Sequence, residues 1–226
     1  MVTMVDTQAT DQRRYEFVLP PGWVRIDLRV PYEDQVGSLL DLMVAQGGGA
    51  RDDARPKLAA SKQLLAVCAR AKESQVLDLV LPTQRFDGRG LNCSFGIAPF
   101  PGVPNVDPLE AMASVASRDQ SASLVEIEDL VALRTRGRRQ KDADAFTDQV
   151  EELAAEVGAE VLSAELRASE VWAETVRYMI GHPDRPDDWI VVDFHTTDGG
   201  TPESKEITDA LVELFDAIME TMRFSK

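Results

Sequence analysis

Cysteine, basic charge and long apolar runs are all in short supply in this chain of 226 residues, and each shortage removes a class of function. The two cysteines, Cys68 in an expected helix and Cys93 in an expected strand, are too few and too apolar in setting for a disulfide scaffold, a zinc knuckle or a CxxC redox pair. They are expected to be small buried hydrophobes in a reducing cytosol. Lysine and arginine number 24 against 39 acids, and the net charge of -15 repels a phosphate backbone, so nucleic acid is not an expected partner. No stretch reaches the roughly 18 apolar residues of a membrane span. The polar opening from Met1 to Arg14 has neither an apolar signal region nor an early cysteine for lipidation, and a disordered tail is expected there. The expectation is a cytoplasmic protein that does not enter a membrane.

What the chain does have is alternation and helical periodicity. With 44% hydrophobic residues it is long enough for one large domain, expected over residues 15–226, in which folding buries roughly 70% of the unfolded surface. Tyr15 to Leu19 and Trp23 to Leu28 read as two strands joined through Pro20, Pro21 and Gly22, a hairpin or a bent strand. Val36, Leu39, Leu40, Met43 and Val44 mark a helix that stops at Gly47, Gly48 and Gly49, and a second helix runs from about Pro56 to Glu73. Val76 to Leu81 and Leu91 to Ile97 form the next strand pair, followed by a loop rich in proline and a short helix near Leu109 to Val115. Ser123 to Glu128 and Leu130 to Arg138 read as a hairpin, and Phe146, Val150, Leu153, Ala154 and Val157 as a helix closed by Gly158.

The last part of the chain is the most telling. Val171 to Ile180 and Trp189 to Thr196 are strand-like, with Ile190, Val192 and Phe194 alternating against Trp189, Val191, Asp193 and His195. Ile207, Ala210, Leu211, Leu214, Phe215, Ile218 and Met219 then form one face of a helix from Thr201 to Arg223. The pattern predicts an α+β fold, an antiparallel sheet flanked by helices.

The order Phe17-Val18-Leu19-Pro20-Pro21-Gly22-Trp23, a Glu126/Arg134 hairpin, Asp188-Trp189-Ile190-Val191-Val192-Asp193-Phe194 and Leu214-Phe215-Asp216-Ala217-Ile218 resembles the PsbP-like α/β/α sandwich. That fold is shared by the photosystem subunit PsbP, a Ran-GTPase-binding factor and LpqN-type actinobacterial lipoproteins. The nearest resemblance is to soluble actinobacterial relatives, with the two helices of residues 32–73 as an insertion. The resemblance implies a binding or accessory role without catalysis.

Candidate chemistry is sparse. Asp193, His195 and Ser204 are the residue types of a nucleophilic triad, the basis of an alternative reading as a small-molecule hydrolase using His195. Ser204 lacks the Gly-x-Ser-x-Gly elbow, and an exposed strand face beside a helix-start serine explains the same residues. His182 with Asp184, Asp187 and Asp188 offers metal-ligating atoms without HExxH or EF-hand spacing, so a solvated turn is expected and no metal or other cofactor. Gly199 and Gly200 precede Thr201 and Pro202, an anion-binding helix start or an ordinary cap. Trp23, Trp172, Trp189 and Tyr178 belong to the core or line a pocket.

One feature stands against the sign of the chain. Arg134, Arg136, Arg138, Arg139 and Lys141 form a basic run, and the first three share a strand face, expected on the solvent side. A three-residue loop at Asp129 to Val131 would set Glu126 opposite Arg134, each such exposed pair contributing about 0.2–1 kcal/mol. Arg138, Arg139 and Lys141 would remain to steer an acidic protein partner. The expected function is therefore recognition of another protein, with the subunit or chaperone of a larger, secretion-type assembly as a further alternative.

Overall fold

The computed structural model describes residues 15–47, 54–86, 89–101, 106–142, 144–145, 147–148, 151–152, 155 and 170–225. The tail expected over residues 1–14, the connector at Gly48 and Gly49, and the positions Phe146, Val150, Leu153, Ala154, Val157 and Gly158 that mark the expected helix lie outside them, while Thr147, Asp148, Glu151, Glu152 and Ala155 within that span are helical. The fold is α+β: four helices among the described residues and a seven-stranded antiparallel sheet, with strand order β2-β3-β6-β10-β9-β8-β7. Its strands are β2 (Trp23–Asp27), β3 (Asp78–Pro82), β6 (Cys93–Pro101), β7 (Ala122–Ile127), β8 (Leu130–Gln140), β9 (Trp172–His182) and β10 (Arg185–Asp198). Two small pairs accompany it, β1 (Tyr15–Glu16) with β11 (Arg223–Phe224) and β4 (Arg85–Phe86) with β5 (Arg89–Gly90).

Helices α1 (Glu33–Gly47), α2 (Ala54–Glu73) and α3 (Pro108–Ala116) lie on one face of the sheet, and α4 (Pro202–Glu220) on the other. The period of two in β10 decides this arrangement. Ile190, Val192 and Phe194 turn to the α4 face, where they join Phe95, Ile97, Val176, Tyr178, Ile180, Leu211, Phe215, Ile218 and Met219 in the largest core cluster. Trp189 turns the other way and is buried under α3 with Met112 and Leu133. A second cluster on the α3 side joins Ile26, Leu28 and Leu79 to Val36, Leu39, Leu40 and Cys68 of the α1/α2 pair.

Four expectations change. The opening segment is not a hairpin: β1 pairs with the C-terminal β11, Tyr15 opposite Phe224, while β2 joins the sheet beside β3. The β9–β10 hairpin extends to His182 and Arg185, and a register shift between Arg185 and Trp189 absorbs the interrupted pattern that reads as a long turn. The β7–β8 loop contains two residues, not three: Ile127 faces Leu130, Glu128 takes a left-handed backbone at φ 48°, and Glu126 lies opposite Val131. The buried stripe of α4 is rotated from the expected one, with Thr208 and Val212 inside and Ile207 47% exposed. Asp209 and Asp216 border this stripe and reach toward β8, as described below.

Both cysteines are free and buried. Burial raises both thiols' pKa, with a contribution from Glu33 at Cys68, and pushes Cys93 up to about 12. Thiol titration should count both cysteines only after denaturation; rapid labelling of native protein would contradict the packing of Cys68 under α1 or Cys93 under α4. The folded state holds the Cys93 proton more tightly than the unfolded chain, where the ordinary value is 9.0. The stability this contributes is complete below pH 9.0 and is lost as pH rises toward 12, so denaturation midpoints should fall across that window.

Candidate functional site

Strand β8 carries the basic run, and its alternation assigns the arginines to two faces. Arg134, Arg136 and Arg138 follow Leu130 and Ala132 onto the α4 side, opposite Tyr178, Val176 and Glu174 of β9. The ladder therefore lies on the α4 side of the sheet, where Arg134 and Arg136 reach acids of that helix while Arg138, toward the end of the strand, remains exposed. Arg134 donates to both carboxylate oxygens of Asp216 at 2.9 and 2.8 Å, and the Tyr178 hydroxyl donates to the same carboxylate at 2.7 Å. Arg136 donates through Nε to buried Glu174 and at 2.5 Å to Asp209. Arg138 donates to Asp198 at 3.2 and 3.0 Å, approaches Glu174 at 3.7 Å, and stacks its guanidinium 4.6 Å from the centre of the Trp172 ring.

These pairings replace the expected ones with Glu126 and Glu128. Opposite Arg134 stands Ser123, and the counter-charges come from α4, β9 and β10. Asp209 and Asp216 are seven residues apart, two helical turns, so both edge the apolar stripe of α4 on one side. They meet β8 in reverse order, since the helix runs antiparallel to the strand. Burial works against the charge on Arg134 and Arg136, but the hydrogen bonds they donate to their acids, with the attraction of those charges, outweigh it and both pKa values are raised. Lys205, then Arg136, hold the Asp209 carboxyl below its ordinary range. Burial and the Asp216 bond together raise Tyr178.

Arg139 lies on the opposite face and is exposed. Lys141 follows on the same alternation, its N–H donating to the Val171 carbonyl at 2.8 Å. Gly137, Thr175, His195 and Ser94 form one row across this face, and Thr135, Arg177, Asp193 and Gly96 the next. Arg177 grips Asp193 with bonds of 2.6 and 2.9 Å, which raises the Arg177 pKa, while His195 Nδ1 stands 3.4 Å from Thr175 Oγ1. Arg177 and His195 are exposed, so this part of the floor between the α1/α2 pair and α3 is open to solvent.

The triad residues are not brought together. His195 and Asp193 sit on this open face, whereas Ser204 lies on α4 behind the sheet. Its hydroxyl donates to the Thr201 carbonyl and accepts from the Thr201 N–H in a capping box. The Gly200 N–H donates to Asp198 Oδ1 at 2.7 Å, so one helix-start donor that an anion would use is occupied. His182 Nδ1 accepts the Asp184 N–H at 3.1 Å, its ring lies 4.5 Å from that of Phe224, and Asp188 pairs with Arg185. Among the described residues no group of three or more His, Cys, Asp or Glu is placed to hold a metal ion. No helix among them is long and apolar enough to cross a membrane.

Two open cavities border these features. One of about 370 Å³ lies at the start of α4 between Leu91, Ile207, Leu211 and the hydroxyl residues Thr196, Ser204 and Thr208. The other, about 530 Å³, lies at the far end of the sheet among Glu128, His182, Arg185, Arg223 and Phe224.

A buried charge cluster escapes the sequence reading altogether. Asp78 is 0% exposed, yet it accepts from the Tyr15 hydroxyl and from Arg25 at 2.5 Å, with Arg29 at 3.7 Å. The Arg25 guanidinium lies 5.1 Å from the ring centres of both Tyr15 and Phe17. Asp27, directly across the ladder from Asp78, is held by Arg29. The only sequence signal is the two carboxylates at strand ends with arginines two positions to either side of Asp27. No family model, curated protein or solved structure matches the chain.

Proposed function

We propose that the chain is a binding or accessory protein that recognises an acidic protein partner on the open face of the sheet, without catalysing a reaction. The observation that carries this reading is the exposed strand surface bearing Arg139, Arg177 and His195, between the α1/α2 pair and α3. Asp193 is the acid in its centre and is already paired with Arg177, so Arg139 supplies net positive charge in a chain of -15. The reading takes up the PsbP-like resemblance, whose members include binding and accessory proteins, and cytoplasmic residence belongs to the same proposal.

Mutation separates the two faces of β8. Arg139→Glu with His195→Ala should melt within about two degrees of wild type, as substitutions at exposed positions do. The same variant should lose salt-sensitive capture of the partner that wild type retains, mainly through slower association. Arg138→Glu, by contrast, should cost about 2–3 kcal/mol, because it leaves buried Asp198 without its guanidinium. Capture unchanged in the Arg139→Glu/His195→Ala protein at low and high salt would remove the proposal.

A further inference from the structure

The two edges of the central sheet are finished differently. On β2, the N–H of Leu28 bonds inward to Leu77, so by the alternation of an antiparallel pair Trp23, Arg25 and Asp27 point their backbone groups outward. Two of these are closed from within. The Trp23 N–H donates to the Pro20 carbonyl at 3.2 Å, and Gln35 both accepts from the Asp27 N–H at 2.9 Å and donates to its carbonyl at 3.0 Å.

Strand β7 has no such cover among the described residues. The Arg136 N–H bonds to the Ser121 carbonyl at 3.2 Å and the two-residue loop pairs Ile127 with Leu130, so residues 121, 123, 125 and 127 bond inward. Ala122, Leu124 and Glu126 therefore present their backbone outward. The strand contains no proline or lysine, and its register has no bulge, the usual devices that blunt an edge.

We propose that β7 is the seam of a two-fold dimer, in which a second copy of this chain pairs antiparallel with its Leu124 opposite the first copy's Leu124. The groups match in that register. The Leu124 pair exchanges both bonds, and each Glu126 N–H meets the other copy's Ala122 carbonyl. The Ala122 N–H is already spent on the Asp119 carbonyl at 3.0 Å, so the other copy's Glu126 carbonyl is the outward group left for water. Charges match as well: residues 122–125 are uncharged in a strongly acidic chain, and Glu126 faces alanine instead of a second carboxylate. Leu124 is 39% exposed, and α3, which packs on β7 and β8, leaves Val115 45% exposed near the same edge. The pairing would cover Leu124 and join the two sheets into one. It is independent of the proposed protein partner, which uses the sheet face.

Sedimentation equilibrium of the full chain from micromolar to near-millimolar concentration should reveal association toward twice the single-chain mass of 24.9 kDa. Leu124→Lys, which sets two ammonium groups opposite each other, should return the mass to that of one chain while the melting temperature holds. Leu124→Cys should form a disulfide-linked dimer under mild oxidation, Glu126→Cys should not, and the buried Cys68 and Cys93 should remain silent. A single-chain mass at every concentration overturns the proposal. So does a dimer that survives Leu124→Lys and fails to cross-link through Leu124→Cys, which would place the contact on another surface.

Discussion

Phe215→Ala is expected to lower the unfolding free energy by about 3–5 kcal/mol, the cost of emptying a fully buried aromatic site. Phe215 is where α4 meets the sheet. Its ring lies 4.8 Å from Phe194 in a stacked arrangement, 5.3 Å from Phe95 and 5.7 Å edge-on from Tyr178, so it touches β10, β6 and β9 at once. The surrounding strands are fixed by their ladders and cannot collapse into the space. Urea denaturation followed by far-ultraviolet circular dichroism would measure the loss, and a midpoint unchanged from wild type would mean that α4 packs elsewhere. Ile207→Ala, one turn from the N-terminus of the same helix but exposed, should change stability by less than about 1 kcal/mol.

Asp78→Ala is the second substitution with a large expected effect, again about 3–5 kcal/mol. The reason is electrostatic. Removing the carboxylate leaves the Arg25 guanidinium, itself largely buried, without its counter-ion and strands the Tyr15 hydroxyl. It would also relieve one repulsion, since Asp27 and Asp78 face each other across β2 and β3, but Arg29 already balances Asp27 at 2.8 Å. Tyr15→Phe should cost only about 1–2 kcal/mol, because Arg25 continues to pair with Asp78. Equilibrium denaturation of both variants tests the ordering; equal losses would mean that the hydroxyl, and not the ion pair, holds the cluster.

The parts of the fold legible in the sequence are those set by local periodicity. Alternation in Trp189 to Thr196 assigned Phe194 and Trp189 to opposite faces correctly, and the helical recurrence located Leu211, Phe215, Ile218 and Met219 in the buried stripe of α4 but also included Ile207 and Ala210, which are exposed. The same alternation placed Arg134, Arg136 and Arg138 on one face, yet not on the right one. Matching them to Glu126 used the nearest opposite charge in sequence, whereas the acids they meet lie 73 and 82 residues away at Asp209 and Asp216. The hairpin turn compounded the error. Its glutamate adopts a positive φ without the glycine or asparagine that normally announces such a turn, so nothing local distinguished two loop residues from three. Arg139, by contrast, was separable from the ladder by parity alone. The cluster around Asp78 was invisible for the same reason as the acids of α4, since Tyr15 and Asp78 are 63 residues apart.

The long reach of the β8 arginines also orders events during synthesis. Chains emerge from the ribosome N-terminus first, at about 5–20 residues per second. Strands β2, β3, β6, β7 and β8 are thus complete before β10, which must enter between β6 and β9, and before α4, which is later still. Until α4 emerges, the nascent sheet lacks its apolar lid, Arg134 lacks the Asp216 carboxylate, and Arg136 has Glu174 of β9 but not Asp209. The last helix to be made thus covers the apolar face and supplies the Asp209 and Asp216 carboxylates in one docking step.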